Sequence, residues 1–199
     1  MGKAKFLDKE IIQKRRKRMK EDYSDLEKGE IYVDGEMMNF DRRMVQDLFS
    51  LMLPISFESM NEDLKNVKYP SKYAPTDVFT SVDLGINIGF SAFTDHMPKE
   101  PVIKIAEGIK EALENDQSTF NFQDITVLEV ENIDGCYFEF FQNTLDTELF
   151  HIMTLIRIKN QILQMTFNCL SELDIVTWKN IVVQMAESIT EYEKKGVSL

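Results

Sequence analysis

Two histidines, His96 and His151, and two cysteines, Cys136 and Cys169, are the side chains of this sequence that could move a proton or attack an electrophile near neutral pH. His151 is the stronger candidate. On an alternating strand it shares a face with Arg157. The inferred register brings Glu129 and Glu131 near it, so a carboxylate could orient the imidazole for acid–base work. No motif sets a nucleophile beside it. His151 therefore reads as a structural histidine, with an acid–base site as the alternative, and His96, in a loop before Met97-Pro98, reads the same way. The cysteines are too few and too widely spaced for a disulfide framework or a zinc site, and read as small buried hydrophobes. The carboxylates are many but lack metal-ligand spacing. Gly85 and Gly89 fall within a strand hairpin, not between a strand and a helix, so they form no phosphate loop; Gly89 marks a bulge or a close backbone approach. Neither a cofactor nor a metal is expected.

Charge supplies the sharpest motif. Net charge is −11, yet residues 1–20 hold nine Lys or Arg against Asp8 and Glu10, or +7, leaving 14 cationic against 32 anionic groups, or −18, on the rest. The run Lys14-Arg15-Arg16-Lys17-Arg18 could meet nucleic acid, lipid headgroups or an acidic protein surface, including that of a second copy, and could equally be a solvated helix face. An acidic body repels phosphate backbones, and only Phe6 and Tyr23 lie near the run as stacking aromatics, which disfavours nucleic acid. Apolar runs break within about ten residues, short of the roughly 20 that span a bilayer, so no transmembrane segment is expected. Phe6-Leu7 is followed at once by Asp8, Lys9 and Glu10, so no secretory apolar region follows the basic start, and Phe6 stands where myristoylation needs Ser or Thr. Taken as a full product, the chain is expected in the cytoplasm.

These residues must be positioned by elements that the hydrophobic pattern outlines. Length and 43% hydrophobic content suit one core. Residues 1–29 read as a basic helical arm and 30–199 as a single α+β domain. Ile31 to Val33 and Glu36 to Phe40 flank Asp34-Gly35, the strongest short hairpin signal. A third strand is expected from Val45 to Leu53, ended by Pro54, then a short helix within Phe57 to Val67. A hairpin follows, Asp77 to Asp83 with Ile86 to Phe93. Val102, Ile105, Ala106, Ile109 and Leu113 recur at helical spacing. Four strands then follow between Ser118 and Cys169, with turns at Asp134-Gly135, Asp146-Thr147 and Asn160-Gln161.

On that register one face gathers Leu128, Val130, Tyr137, Phe141, Ile152, Ile156, Ile158, Leu163, Met165 and Phe167. The other gathers Phe138, Phe140, His151, Met153, Leu155 and Arg157 between charged margins. A terminal helix, Leu173 to Glu193, carries Ile175, Trp178, Val182, Met185, Ile189 and Tyr192 on one stripe, with Ser171 and Asp174 as an approximate capping box. The fold class is thus α+β: a largely antiparallel sheet of about six to seven strands, helices on both faces and a long C-terminal helix.

A strand ending Leu51-Met52-Leu53-Pro54 and followed by Phe57, a hairpin, a helix, a four-strand meander and a long terminal helix bearing Trp178 resembles the PsbP-like superfamily over residues 31–193. That group includes the photosystem II extrinsic protein, an import factor that binds the GTPase Ran, and bacterial effector chaperones. The resemblance implies a non-enzymatic domain that works by binding proteins, and carries over no functional residue. The expected function is a cytoplasmic protein-binding module, an adaptor or chaperone for an exported or membrane-associated partner. Phe138, Phe140, Met153, Leu155 and Arg157 on the second sheet face, with Lys14, Arg15, Arg16, Lys17 and Arg18, are its candidate contacts, and self-association through the arm is a further expectation. The alternatives are an arm-mediated nucleic-acid or membrane-surface binder and a His151-centred enzyme.

Overall fold

A computed structural model describes residues 2–71, 73–97, 99–116, 120–129 and 133–191. Val130, Glu131 and Tyr192, placed above on sheet faces and on the terminal helix, lie outside the described residues. Helix α1 (Gly2–Asp22) leads to a 3-10 turn at Leu26–Lys28 and a first sheet, β1 (Glu30–Val33), β2 (Glu36–Val45) and β3 (Phe49–Pro54). Short β4 (Glu58–Ser59), helix α2 (Glu62–Lys68), β5 (Asp77–Thr80) and β6 (Asn87–Thr94) precede α3 (Val102–Asp116). Then come β7 (Phe120–Phe122), β8 (Thr126–Val127), β9 (Gly135–Asn143), β10 (Glu148–Ile158) and β11 (Gln161–Leu170), then α4 (Ile175–Glu187) and β12 (Thr190–Glu191).

The α+β, antiparallel architecture read from the pattern is the one observed, with its strands divided between two sheets. One runs β1-β2-β3-β12; the other runs β4-β5-β6-β11-β10-β9-β7, with β8 also on β9. β10 is central to the larger sheet. Phe150, Ile152, Ile156 and Ile158 on one face join Met165, Phe167 and α4's Trp178, Ile181, Val182 and Met185 in the main core. The smaller sheet closes this core, Phe49 meeting Phe90 at 5.7 Å between ring centroids. The opposite face buries Phe138, Phe140, Met153 and Leu155 against Val102 and Ala106 of α3. Helices therefore cover both faces.

Several boundaries differ from those expected. β2 continues to Val45, and Gln46 and Asp47, both at positive φ, turn the chain before β3 starts at Phe49, so the single strand expected from Val45 is two. Gln46 donates its amide to Asp77 at 2.7 Å, a long-range contact that holds this turn. The turn after β10 is Lys159-Asn160, with Ile158 opposite Gln161, and β9 and β10 are joined by residues 144–147. Both registers shift from the expected ones by an even number of residues, which is why every side chain keeps its face.

α4 begins not with a Ser171 box but with Asp174, whose carboxylate accepts from the Thr177 N–H. It ends at Glu187, where the Ser188 hydroxyl accepts from the Met52 N–H at 3.0 Å; the chain then becomes edge strand β12 instead of helix to 193. Leu26, counted with the arm, is buried in the main core, and its N–H donates to Gln184 at 2.8 Å. The packed unit thus reaches back to about residue 24. Gly89 is the close approach expected: a Cβ there would meet the Pro75 ring at 2.6 Å.

Candidate functional site

The residues picked out by chemistry are structural in place. The His151 ring stacks on Phe140 at 4.6 Å and its Nε2 meets Gln142 Oε1 at 3.1 Å. Burial lowers its pKa to about 4, so the ring is neutral at physiological pH. Cys136 and Cys169 are buried free thiols, each pushed up to about 12 mainly by burial, and so poor nucleophiles. His96 stands exposed in its loop. No group of three or more metal-ligating side chains occurs among the described residues.

Phe138, Phe140, Met153 and Leu155 were expected to offer a binding face, but α3 covers them and none is presented to solvent. Their apolar area is already used against Val102 and Ala106. Arg157 is likewise internal, with its side chain 15% exposed. Its guanidinium pairs with the fully buried Asp95 carboxylate, its Nε donates to Asp134 at 2.9 Å, and it also donates to the Glu100 carbonyl. Asp134 in turn accepts from the Val102 N–H at 3.1 Å. Arg157 therefore fixes the start of α3 over the sheet.

The surface that remains open was not legible in any one segment. At the end of the molecule formed by the β1–β2 turn, a groove of about 690 Å³ is lined mainly by apolar groups, with Trp178 and Phe57 at its base. Met37, Ile55 and Val82 stand exposed along it at 38%, 53% and 85%. Its walls are rigid for identifiable reasons. Asp34, at positive φ in the turn, accepts from the indole Nε1 of Trp178 at 2.7 Å and from the Asp174 N–H at 2.8 Å, joining the hairpin to α4. Arg43 donates to the carbonyls of Ile55 and Phe57 and so pins the second wall. The third wall is the loop around Asp83, whose carboxylate accepts from Ser81 and from the Gly85 N–H; these bonds hold its pKa below the ordinary range. Asp83 makes that rim acidic, and Glu36 lines the groove from the hairpin.

Asp34 and Leu173 also line a second depression of about 570 Å³ beneath α1, walled by Gln13, Arg16, Lys17 and Lys20. This spacing of three, four and seven residues puts those four on one helix face. Lys20 pairs with Asp174. Burial would raise the Asp174 pKa, but Lys20 and Thr177 hold it below the usual carboxylate range. Lys14 to Arg18 are exposed.

One further polar cluster went unread in the sequence. Lys68 donates to Asn87 at 3.0 Å, Asn87 to Asn168 at 2.9 Å, and Asn168 to the Tyr69 hydroxyl at 3.2 Å. Burial lowers the Lys68 pKa against the pull of Asp83, and raises that of Tyr69. These mutual hydrogen bonds fasten α2 to the large sheet.

No protein-family model matches the sequence, and no curated protein matches it. Solved structures do. The solution structure of cyanobacterial PsbP (CyanoP) from Synechocystis sp. PCC 6803 aligns with a TM-score of 0.58 at 10% identity, over 77% of this chain and 92% of that one. LpqN, involved in cell envelope biogenesis of Mycobacterium tuberculosis, aligns with a TM-score of 0.52 at 14% identity, over 78% of this chain and 92% of that one. The chain is an α+β protein with a PsbP-like fold. No helix among its described residues is long and apolar enough to cross a membrane.

Proposed function

We propose that this chain is a non-enzymatic protein-binding module that holds a segment of a partner protein in the groove between the β1–β2 turn, the Ile55–Phe57 segment and the loop around Asp83. The observation that carries this reading is the row of exposed Met37, Ile55 and Val82 above a fixed apolar base. Exposed apolar side chains clustered over a preformed depression mark a binding surface, and methionine adapts to varied partners. The chemistry-bearing side chains support the same reading: a neutral, stacked His151 and two protonated thiols are not activated as base or nucleophile.

Two buried free thiols suit a reducing compartment, so the module acts in the cytoplasm. The envelope role of LpqN, which shares the fold, supports an adaptor or chaperone for a membrane-associated or exported partner.

The test is capture from the native host's lysate with wild-type chain, Ile55→Glu in the groove, and Leu145→Glu at the exposed β9–β10 tip as a control. Proteins retained by wild type and Leu145→Glu but lost with Ile55→Glu are the expected result. Equal capture by all three, with circular dichroism showing each folded, refutes the groove as the binding site.

A further inference from the structure

The apolar groove and the basic arm form one surface. They meet at Asp34 and Leu173, which line both depressions, so a segment seated against Ile55 that continues past the β1–β2 turn comes under α1. We infer that the partner segment is amphipathic and acidic at one end, its apolar side chains lying on Met37, Ile55 and Val82 and its carboxylates meeting Arg16 and Lys17. This rests on the binding reading above and adds the chemistry of the occupant.

Three observations carry it. First, the arm's charge is not neutralised at home. Residues 1–20 hold +7, and Lys14, Arg15 and Arg16 make no salt bridge among the described residues, while Lys17 and Arg18 reach Glu21 and Asp22 of their own helix at 3.9 and 3.4 Å. Second, of the acids that line the depression, Asp34 and Asp174 are already committed and Glu172 alone stands exposed. Both oxygens of Asp34 accept hydrogen bonds from α4 and the turn before it, and Asp174 is held by Lys20 and Thr177. Third, Asp83 lines the groove but not the depression under α1, and it repels a carboxylate on its side of the groove. Asp83 in the groove and Arg16 and Lys17 beyond it therefore fix which end of a charged segment lies under the arm.

A nucleic acid fits this surface poorly. Its phosphates repeat along its whole length and would meet Glu36 and Asp83, whereas a peptide can place its acids at one end only.

A random peptide library displayed on phage and selected on the full chain tests the inference. The expected outcome is enrichment of sequences with apolar anchors beside a cluster of Asp or Glu. A fluorescein-labelled peptide of the most enriched sequence should then bind about tenfold or more weakly to the Arg16→Glu/Lys17→Glu variant, and more weakly in about 0.5 M than in 0.05 M NaCl. Ile55→Glu should abolish its binding. Apolar anchors without acidic bias, or with Lys or Arg instead, would overturn the inference while leaving the groove as a binding site. Failure to enrich any sequence would also overturn it, as would an RNA oligonucleotide that binds through Arg16 and Lys17 and is indifferent to Ile55→Glu; the lysate comparison then decides the broader reading alone.

Discussion

Replacing Arg157 by methionine keeps most of the side-chain stem and removes the charge that Asp95 faces. The Asp95 side chain is wholly buried, and its other oxygen accepts from the Met97 N–H at 2.9 Å, so after the change a carboxylate stays inside with one backbone donor and no cation. Breaking a buried pair from one side costs about 3–5 kcal/mol. Loss of the hydrogen bonds to Asp134 and Glu100 adds about 1 kcal/mol each, offset by the apolar stem that methionine retains. A net loss of roughly 4 kcal/mol is a large part of the 5–15 kcal/mol available to a domain. Urea unfolding followed by the fluorescence of Trp178 measures it. Removing both partners, as Arg157→Met/Asp95→Leu, should recover at least about 2 kcal/mol of the loss, because no isolated charge then remains. A single variant costing under about 1 kcal/mol, or a double variant no better than the single, would show that the pair is not what holds the start of α3.

The other predictions concern the core and the titrating groups. Trp178→Ala removes a fully buried ring packed on Phe167 at 5.3 Å and should destabilise by about 3–5 kcal/mol in a urea titration followed by circular dichroism. His151 has its pKa lowered from 6.5 to about 4 by burial, so the unfolded chain binds the proton more readily. Its contribution is complete above about pH 6.5 and fades as pH falls toward 4. That loss, up to about 3 kcal/mol, should be absent in His151→Gln when stability is followed across this range. Cys136 and Cys169, buried and protonated, should resist iodoacetamide in the folded chain and react fully in denaturant, as mass spectrometry would read; rapid native labelling of either would contradict the burial.

What the sequence disclosed followed from period and parity. Alternation along β10 assigns Ile152 and Ile156 to one core and Met153 and Leu155 to the other whichever residues make the turns, provided the error is even. The stripe on α4 identified its cover. The Gln46-Asp47 turn escaped because Gln46 carries no turn signal of its own and its conformation is held by Asp77, 31 positions away. The groove escaped for a related reason. Met37, Ile55, Val82 and Trp178 come from four segments, and no local pattern says that they converge. Arg157 has the strand face that alternation assigns it, but its partner Asp95 sits in a loop with no periodicity to place it. Phe138 and Phe140 read both as a face needing a helix and as candidate contacts, because alternation reports that a face is apolar without saying what covers it.

The bonds from Asp34 to Trp178 and to Asp174 join residues about 140 positions apart, and β12 completes the first sheet with strand residues from near position 190. A ribosome delivers the β1–β2 hairpin early, yet its turn cannot be fixed until α4 has emerged. Leu51, Leu53 and Phe57 share one core with Trp178, Val182 and Met185, so that core is complete only once α4 has emerged. Such a chain is a natural client for holding factors during translation, and a truncation before residue 175 should yield an aggregating product in place of a smaller domain.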